Sequence, residues 1–301
     1  MSLETPVNDK EALADRVFGA TIAALELLSI HLGSRLGLYR TLVDEGPLTS
    51  GALARAAGIA ERYAQEWCEQ QAVAALIEVD DPGLDPSERR YHLTADQAAV
   101  LAEPDDPAHV APLAASVVGS ARVMREVEHA YRTGGGVPYH LYGEEFRDGQ
   151  GGANRPAFTH DLPNEWLPAM PDVHARLRQP GARVAEIGSG QGYAAAAIAR
   201  AYPHATVDAY DLDEASIADT RRTAEAAGVA DRVHAAVQDA SSLDADGVFD
   251  LVVVLETLHD IARPVETLSA LRRALKPSGS VFVADEKVAD RFTAPGDEPS
   301  G

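Results

Sequence analysis

The sequence predicts an α/β protein: a mostly parallel sheet covered on both faces in the second half, and a helical domain in front of it. Three observations carry this. From Arg183 onward, short apolar runs alternate with helical patterns. Those runs, FDLVVVLE above all, lack the polar alternation of a half-solvated strand. Ahead of residue 95, helical stretches give way to two strand-like runs around a Pro-Gly turn.

In chain order, residues 12–32 place Leu13, Val17, Ile22, Leu25, Leu28 and Ile30 at helical spacing. A short helix is expected over 36–43 and another over 51–57, capped by Thr49 or Ser50 and ended by Gly58. A longer one starts at Ala60 or Glu61. IEVDD and RRYHLT then read as a hairpin, and helices followed by a hairpin are the winged-helix order. Residues 98–132 read as helical. The stretch from Thr133 to Pro156 holds so many glycines that a loop is expected there, with a helix again over 165–177.

Strands are expected at 183–187, 206–210, 232–237, 249–255 and 279–284, with helices between them. The helix PVETLSALRRALKPSG is expected to reach Gly279. The domain reading is 1–110 for the winged, lid or dimerisation part, 111–178 for a connector that contributes to a substrate pocket, and 179–301 for the sheet domain.

The first sheet strand runs into Glu186-Ile187-Gly188-Ser189-Gly190-Gln191-Gly192 and directly on into a helix. Glycines there allow a tight turn and close approach of a ligand to backbone N–H groups. A dinucleotide fingerprint wants glycines at positions one, three and six, but position six from Gly188 is Tyr193. The pattern is GxGxG with Glu two residues ahead, which favours S-adenosylmethionine (SAM) over a dinucleotide. Asp211 ends the second strand, where an ionised carboxylate can accept from ribose hydroxyls. Asp239 ends the third, as an acceptor for the adenine amine with Ala240 along the ring, or alternatively as a helix N-cap.

VAEIGSGQGYAAAAIARAYPHATVDAYDLD resembles the first motif and acidic second-strand loop of class I SAM-dependent methyltransferases. VQDASSL resembles their adenine loop, and LVVVLETLHDIARPVETLSALRRALKPSGSVFVADE their fourth strand through the fifth. LGSRLGLYRTLVDEGPLTSGALARAAGIAERYAQEW and FRDGQGGANRP resemble a bacterial subgroup with an N-terminal winged-helix domain. The resemblance implies a Rossmann-like SAM-dependent methyltransferase core behind a helical winged-helix-like domain. It implies that Glu186 holds the amine end of SAM and that Gly188 and Gly190 underlie its methionyl and ribosyl parts. Asp211 would bind the ribose, Asp239 would meet adenine, and Glu256 and Thr257 would flank the ligand; Ser189, Leu212 and Ala240 complete the implied cofactor set. Members usually carry seven strands, so the resemblance also implies a C-terminally incomplete core.

For the methyl acceptor, His259 follows the fourth strand at the carboxyl edge of the sheet, where ligands bind, and is the candidate general base. LHD resembles the His-Asp pair of plant-type small-molecule O-methyltransferases. Sequence neighbours do not face each other on a helix, so Asp260 is not automatically the orienter of the imidazole. Tyr139, His140, Tyr142, Asn154, Arg155, His160 and Trp166 offer aromatic walls and hydrogen-bonding groups for a small-molecule pocket. The expected reaction is methyl transfer from SAM to a small molecule, with a hydroxyl oxygen as acceptor. The alternative is a non-catalytic SAM-binding or winged-helix transcriptional regulator.

The formal charge of −21 and the helix from Ala60 or Glu61, which holds Glu61, Glu66 and Glu69, argue against nucleic acid as a partner. Cys68 is the only cysteine, which rules out an internal disulfide and a thiolate metal site, and no metal is expected. The polar opening MSLETPVNDKEALAD has no apolar signal core, and no membrane span is expected. The expectation is a cytoplasmic homodimer paired through its N-terminal domain.

Overall fold

A computed structural model describes residues 10–294. Cα packing divides the chain into two compact units, Met1–Asp161 and Leu162–Gly301.

The first unit opens with helix α1 (Lys10–Arg35), followed by α2 (Leu38–Glu45), strand β1 (Leu48–Thr49), α3 (Ser50–Ala57) and α4 (Glu61–Val73). Thr49 caps α3, its hydroxyl accepting from the Ala52 N–H at 3.2 Å. Strands β2 (Glu78–Val79) and β3 (Arg90–His92) form the hairpin, and β1 adds to β3 in an antiparallel sheet of order β1-β3-β2. Leu38, Tyr39, Leu42, Leu53, Trp67, Ile77 and Tyr91 fill the core beneath it. Cys68 lies in that core, where burial pushes its thiol up to about 12 and leaves it a packing residue. A polar seam ties α1 to α4: the Trp67 indole N–H donates to the Ser29 carbonyl at 3.1 Å, and the Ser29 hydroxyl to Gln70 at 2.7 Å.

The expected helix over 98–132 is three helices: α5 (Ala95–Leu101), α6 (Leu113–Arg122) and α7 (Met124–Thr133). The Glu-Pro-Asp-Asp-Pro run at 103–107 breaks it, since proline neither donates a helical hydrogen bond nor favours helix before it. The expected loop from Thr133 to Pro156 is also corrected. Past residue 138 it is a 3₁₀ turn, Tyr139–Tyr142, and then helix α8 (Gly143–Pro156), which continues into a π-helical segment, Ala157–Trp166. Gly149 and Gly152 of α8 serve packing. A Cβ on Gly149 would overlap Ser116 and sit 2.9 Å from the Pro112 carbonyl oxygen, and one on Gly119 would sit 2.8 Å from the Phe146 nitrogen. Backbone approach between α6 and α8 repays the poor helix propensity of glycine.

The second unit holds α9 (Pro171–Leu177), β4 (Arg183–Ile187), α10 (Tyr193–Ala201), β5 (Thr206–Asp211), α11 (Glu214–Ala226), β6 (Val233–Val237), β7 (Phe249–Leu255), α12 (Pro264–Ala274) and β8 (Leu275–Ala284). All five strands are parallel, in the order β6-β5-β4-β7-β8. Strands β4 and β7 are buried on both faces, which explains their unbroken apolar sequence. Helix α12 stops at Ala274, not at Gly279. Lys-Pro-Ser-Gly lies in β8 at a register shift opposite Phe249 and Leu251, with Lys276 paired to Asp250 at 2.6 Å. Among the described residues no strand follows Ala284. The remainder of the tail, 295–301, lies outside the described residues.

The strand order reverses between β4 and β7. A crevice for ligands is therefore expected outside the carboxyl ends of this pair.

Candidate active site

The loop after β4 is held by the strand beside it. The N–H groups of Gly188 and Ser189 both donate to the Tyr210 carbonyl, at 2.8 and 3.1 Å. Gly188 has φ +71°, and a Cβ there would overlap Thr257 in the loop after β7. Only glycine lets these two loops meet. A Cβ on Gly190 would find nothing within 4 Å, so the turn is open above that residue. Ser189 turns inward, and its hydroxyl meets that of Thr220 at 3.1 Å.

Glu186, on β4, is 3% exposed. Its Oε2 is buried with no hydrogen-bond partner. Burial, with the nearby Asp211 carboxylate adding to it, pushes the carboxyl up to about 8, against the donation it receives from the Ala195 N–H. A buried acceptor left unpaired is costly, so this carboxylate fits a donor brought by a ligand, an ammonium in particular.

Asp211 is half-buried at the end of β5. Its Oδ2 accepts from the Gly190 N–H and its Oδ1 from the Asp213 N–H, both at 2.9 Å. With the Leu212 N–H also interacting with the carboxylate, a lone pair remains for a ribose hydroxyl. Burial is the main cause holding its carboxyl above the ordinary range. Leu212 beside it is 71% exposed. Asp213 instead caps α11, accepting from the Ser216 N–H at 2.9 Å, and Asp208 pairs with Arg183 at 2.6 Å.

Asp239 caps a short 3₁₀ turn, Ala240–Ser242, accepting from the Ser241 N–H at 2.8 Å. Its other oxygen is paired with Arg263 at 2.9 Å, an interaction the sequence did not reveal. The cap geometry is thus present, and an adenine amine would share this carboxylate with Arg263. Ala240 is buried within the apolar cluster that includes Ile187 and Phe249.

After β7 the chain bends sharply. Glu256 has φ +47°, unusual for a non-glycine residue, and its N–H donates to the Ala284 carbonyl at 2.8 Å. His259 sits in the 3₁₀ turn Leu258–Asp260. Its Nδ1 is hydrogen-bonded to Oδ1 of Asp285, and its backbone N–H donates to Oδ2 of the same residue at 3.2 Å. Asp260 is 3.6 Å from Nε2 as an ion-pair neighbour. The Asp285 bond is the main cause raising the imidazole pKa. Burial opposes ionisation of Asp285, but the bonds from His259 and the Glu286 N–H outweigh it and hold the carboxyl below its ordinary range. Sequence reading missed Asp285. The signal available was topological: β7 and β8 are neighbours, so the residues just past their ends meet.

The substrate-side candidates are spread over the two units. Trp166 packs edge-on against Phe282 of β8 at 6.2 Å. Tyr139 and Tyr142 cluster with Phe146 at ring separations of 5.8 and 4.8 Å. Asn154 is half-buried on α8, Arg155 pairs with Asp105 at 2.8 Å, and the exposed His160 pairs with Asp161 at 2.9 Å. His140 lies in the exposed 3₁₀ turn.

Residues 185–281 match a family model described as a methyltransferase domain, and residues 23–103 one described as an Rv2258c-like winged HTH domain. Among curated proteins, the chain is 32% identical over 123 residues to a ubiquinone/menaquinone biosynthesis C-methyltransferase, UbiE, of Roseobacter denitrificans, covering 40% of this chain and 48% of that protein. It is 32% identical over 112 residues to a ubiquinone biosynthesis O-methyltransferase of Pseudomonas aeruginosa, covering 37% and 47%. The chain thus spans about half the length of the curated relatives it matches. Solved structures extend the likeness in fold to nearly the whole chain. The mitomycin 7-O-methyltransferase MmcR superposes with a TM-score of 0.66 at 23% identity, covering 95% of this chain and 84% of that one. Human N-acetylserotonin methyltransferase in complex with SAM gives 0.64 at 17% identity, covering 92% and 80%. The chain therefore carries a methyltransferase domain that follows an Rv2258c-like winged HTH domain.

Proposed function

We propose that this chain transfers the methyl group of SAM to a hydroxyl oxygen of a small-molecule acceptor, with His259 as general base. The observation that carries the reading is the His259–Asp285 pair, placed just past the loop whose Thr257 packs on the Gly188 turn. SAM supplies an electrophilic methyl group on a sulfonium that is already an excellent leaving group. The residues around the turn fit it. Glu186 takes the ammonium with its unpaired oxygen, Gly188, Ser189 and Gly190 floor the turn, and Asp211 takes a ribose hydroxyl. Leu212, Asp239 and Ala240 border the adenine, and Glu256 closes the side toward the acceptor.

The protein's task is then to position the acceptor, exclude water and remove one proton. With Nδ1–H donating to Asp285, the lone pair on Nε2 is free to take the hydroxyl proton as the oxygen–methyl bond forms. Within the second unit, the acceptor contact is assigned to Trp166, which packs against Phe282 of β8. The curated relatives include both a C- and an O-methyltransferase, so the choice of oxygen rests on the imidazole base, which a hydroxyl acceptor needs. Labelled methyl transfer from SAM to a panel of phenols tests the reading. Transfer that is lost in His259→Ala supports it, and a folded, SAM-binding chain indifferent to that substitution refutes the base.

The same reading makes the protein a homodimer. Residues 10–25 of α1 are all exposed, including Leu13, Val17, Phe18, Ile22 and Leu25. By length and composition α1 could cross a membrane. However, Ile30 and Gly33 are buried in the first unit, and the sixteen exposed residues fall short of the ~20 a span needs. A second copy covering this face is the better match to an apolar helical stripe. The exposed face of α4 carries Glu61 and an Arg62–Glu66 pair, which is poor equipment for DNA.

A further inference from the structure

We propose that Glu256, His259 and Asp285 form a binding site for a divalent first-row transition ion. The three side chains come from the ends of two neighbouring strands, β7 and β8. One ligand atom from each lies within 4.8 Å of the others. Three ligands of one ion with bonds of about 2.0–2.2 Å lie about 3.3–3.8 Å apart, so a pair at the outer limit must close by about 1–1.5 Å. The residues are half-exposed, so an ion has a path in, and the flexible Glu256 side chain can make that adjustment toward the fixed Asp285.

The donor set selects the ion. One imidazole nitrogen and two carboxylate oxygens are borderline and hard ligands, suited to Mn²⁺, Co²⁺ or Zn²⁺ and not to soft thiophilic ions. Charge selects a cation as well. Glu256 feels the carboxylates of Asp285 and Glu286, and Asp260 lies 3.6 Å from the imidazole. Three carboxylates, Asp285, Asp260 and Glu256, thus act on a single ring that is neutral in its basic form. Asp285 is held in place by N–H donation from His259 and, at 2.9 Å, from Glu286, so one ligand is preset.

Occupancy has a consequence that rests on the proposed function. The ion takes the lone pair of Nδ1, which moves the ring proton to Nε2. An imidazole protonated at Nε2 cannot accept the hydroxyl proton. The ion therefore switches the base off without touching the SAM turn, and its removal switches it on again.

The test starts with metal alone. Mn²⁺ is titrated into the full chain by electron paramagnetic resonance, and Co²⁺ by visible absorption, both without SAM. One equivalent is expected to bind well ahead of any further ions. Affinity should weaken by roughly tenfold or more in Glu256→Gln, Asp285→Asn and His259→Ala, and stay unchanged in Glu225→Gln at the far end of α11. Weak binding of several equivalents, equal in all variants, is adventitious carboxylate binding and overturns the site. Side-chain ¹⁵N spectra should show the His259 proton on Nε2 in the Zn²⁺ form, and methyl transfer should stop while SAM affinity holds. Full transfer by the Zn²⁺-saturated chain overturns the switch. The metal titration needs no acceptor, so a failure of the methyltransferase reading leaves its result standing by itself.

Discussion

Asp285 accepts from His259 twice, once from ring Nδ1 and once from the backbone N–H at 3.2 Å. The double contact fixes both the ring and the turn that carries it. His259→Ala is therefore expected to lower kcat by about 10²–10⁴-fold with SAM affinity unchanged, the usual range for loss of a general base. Single-turnover kinetics and calorimetry check the two halves.

Asp285→Asn separates positioning from chemistry. Asp285 is the main cause raising the imidazole pKa, and a base works only when neutral. The acidic limb of the kcat–pH profile should thus move to lower pH in Asp285→Asn while the plateau falls. A limb that stays in place would show that His259 is not the titrating base.

Glu186 gives a pH dependence of the opposite kind. Burial and Asp211 raise its folded carboxyl to about 8, above the 4.5 of an unperturbed Glu. The stability contributed by the neutral form is complete below pH ~4.5 and is lost as pH rises through 8. The ligand-free protein should therefore lose thermal stability between pH 5 and 8, and Glu186→Gln should flatten that slope. Binding of the SAM ammonium favours the ionised carboxylate, so SAM should bind more tightly at pH 8 than at pH 6. Glu186→Gln should cost about 1.5–3 kcal/mol of SAM affinity, the worth of a hydrogen bond to a charged group. Melting curves across pH and isothermal titration at both pH values check this.

The sheet and its cofactor loop were legible because the relevant physics is local. VVVL at 252–255 must be buried on both faces, and GSGQG must turn. Thr49 capped α3 as its type and place indicated. Helix α8 was not legible, because glycine reads as a breaker until Pro112 and Ser116 are known to press against Gly149. Asp285 was not legible either. It lies 26 residues from His259, and only the adjacency of β7 and β8 brings them together. Arg263 meeting Asp239 is a third case of the same long-range kind.

Gly188→Ala tests the join between the two loops. The residue adopts φ +71°, and the added methyl carbon would lie 2.9 Å from the Thr257 Cβ. Left-handed strain of this sort costs about 1–3 kcal/mol, before the overlap is counted. Urea unfolding should show at least that loss. Thr257→Gly in the same chain should recover the overlap part but not the φ part, leaving a partial rescue.

The exposed stripe on α1 yields the last prediction. Phe18 is 68% exposed and Ile22 48% exposed, and the two lie four residues apart on one face. An isolated helix of this length is marginal in water, so residues 10–25 need a partner surface to hold their helix. Light scattering on the wild-type chain should report a dimer. Phe18→Asp combined with Ile22→Asp places two charges in the seam and should yield a monomer that has lost helical ellipticity. Ile30 is buried in the first unit and remains there, so the core of that unit should keep its near-ultraviolet signal from Trp67. A wild-type monomer with full helicity would show that α1 needs no partner and would remove the dimer from the proposal.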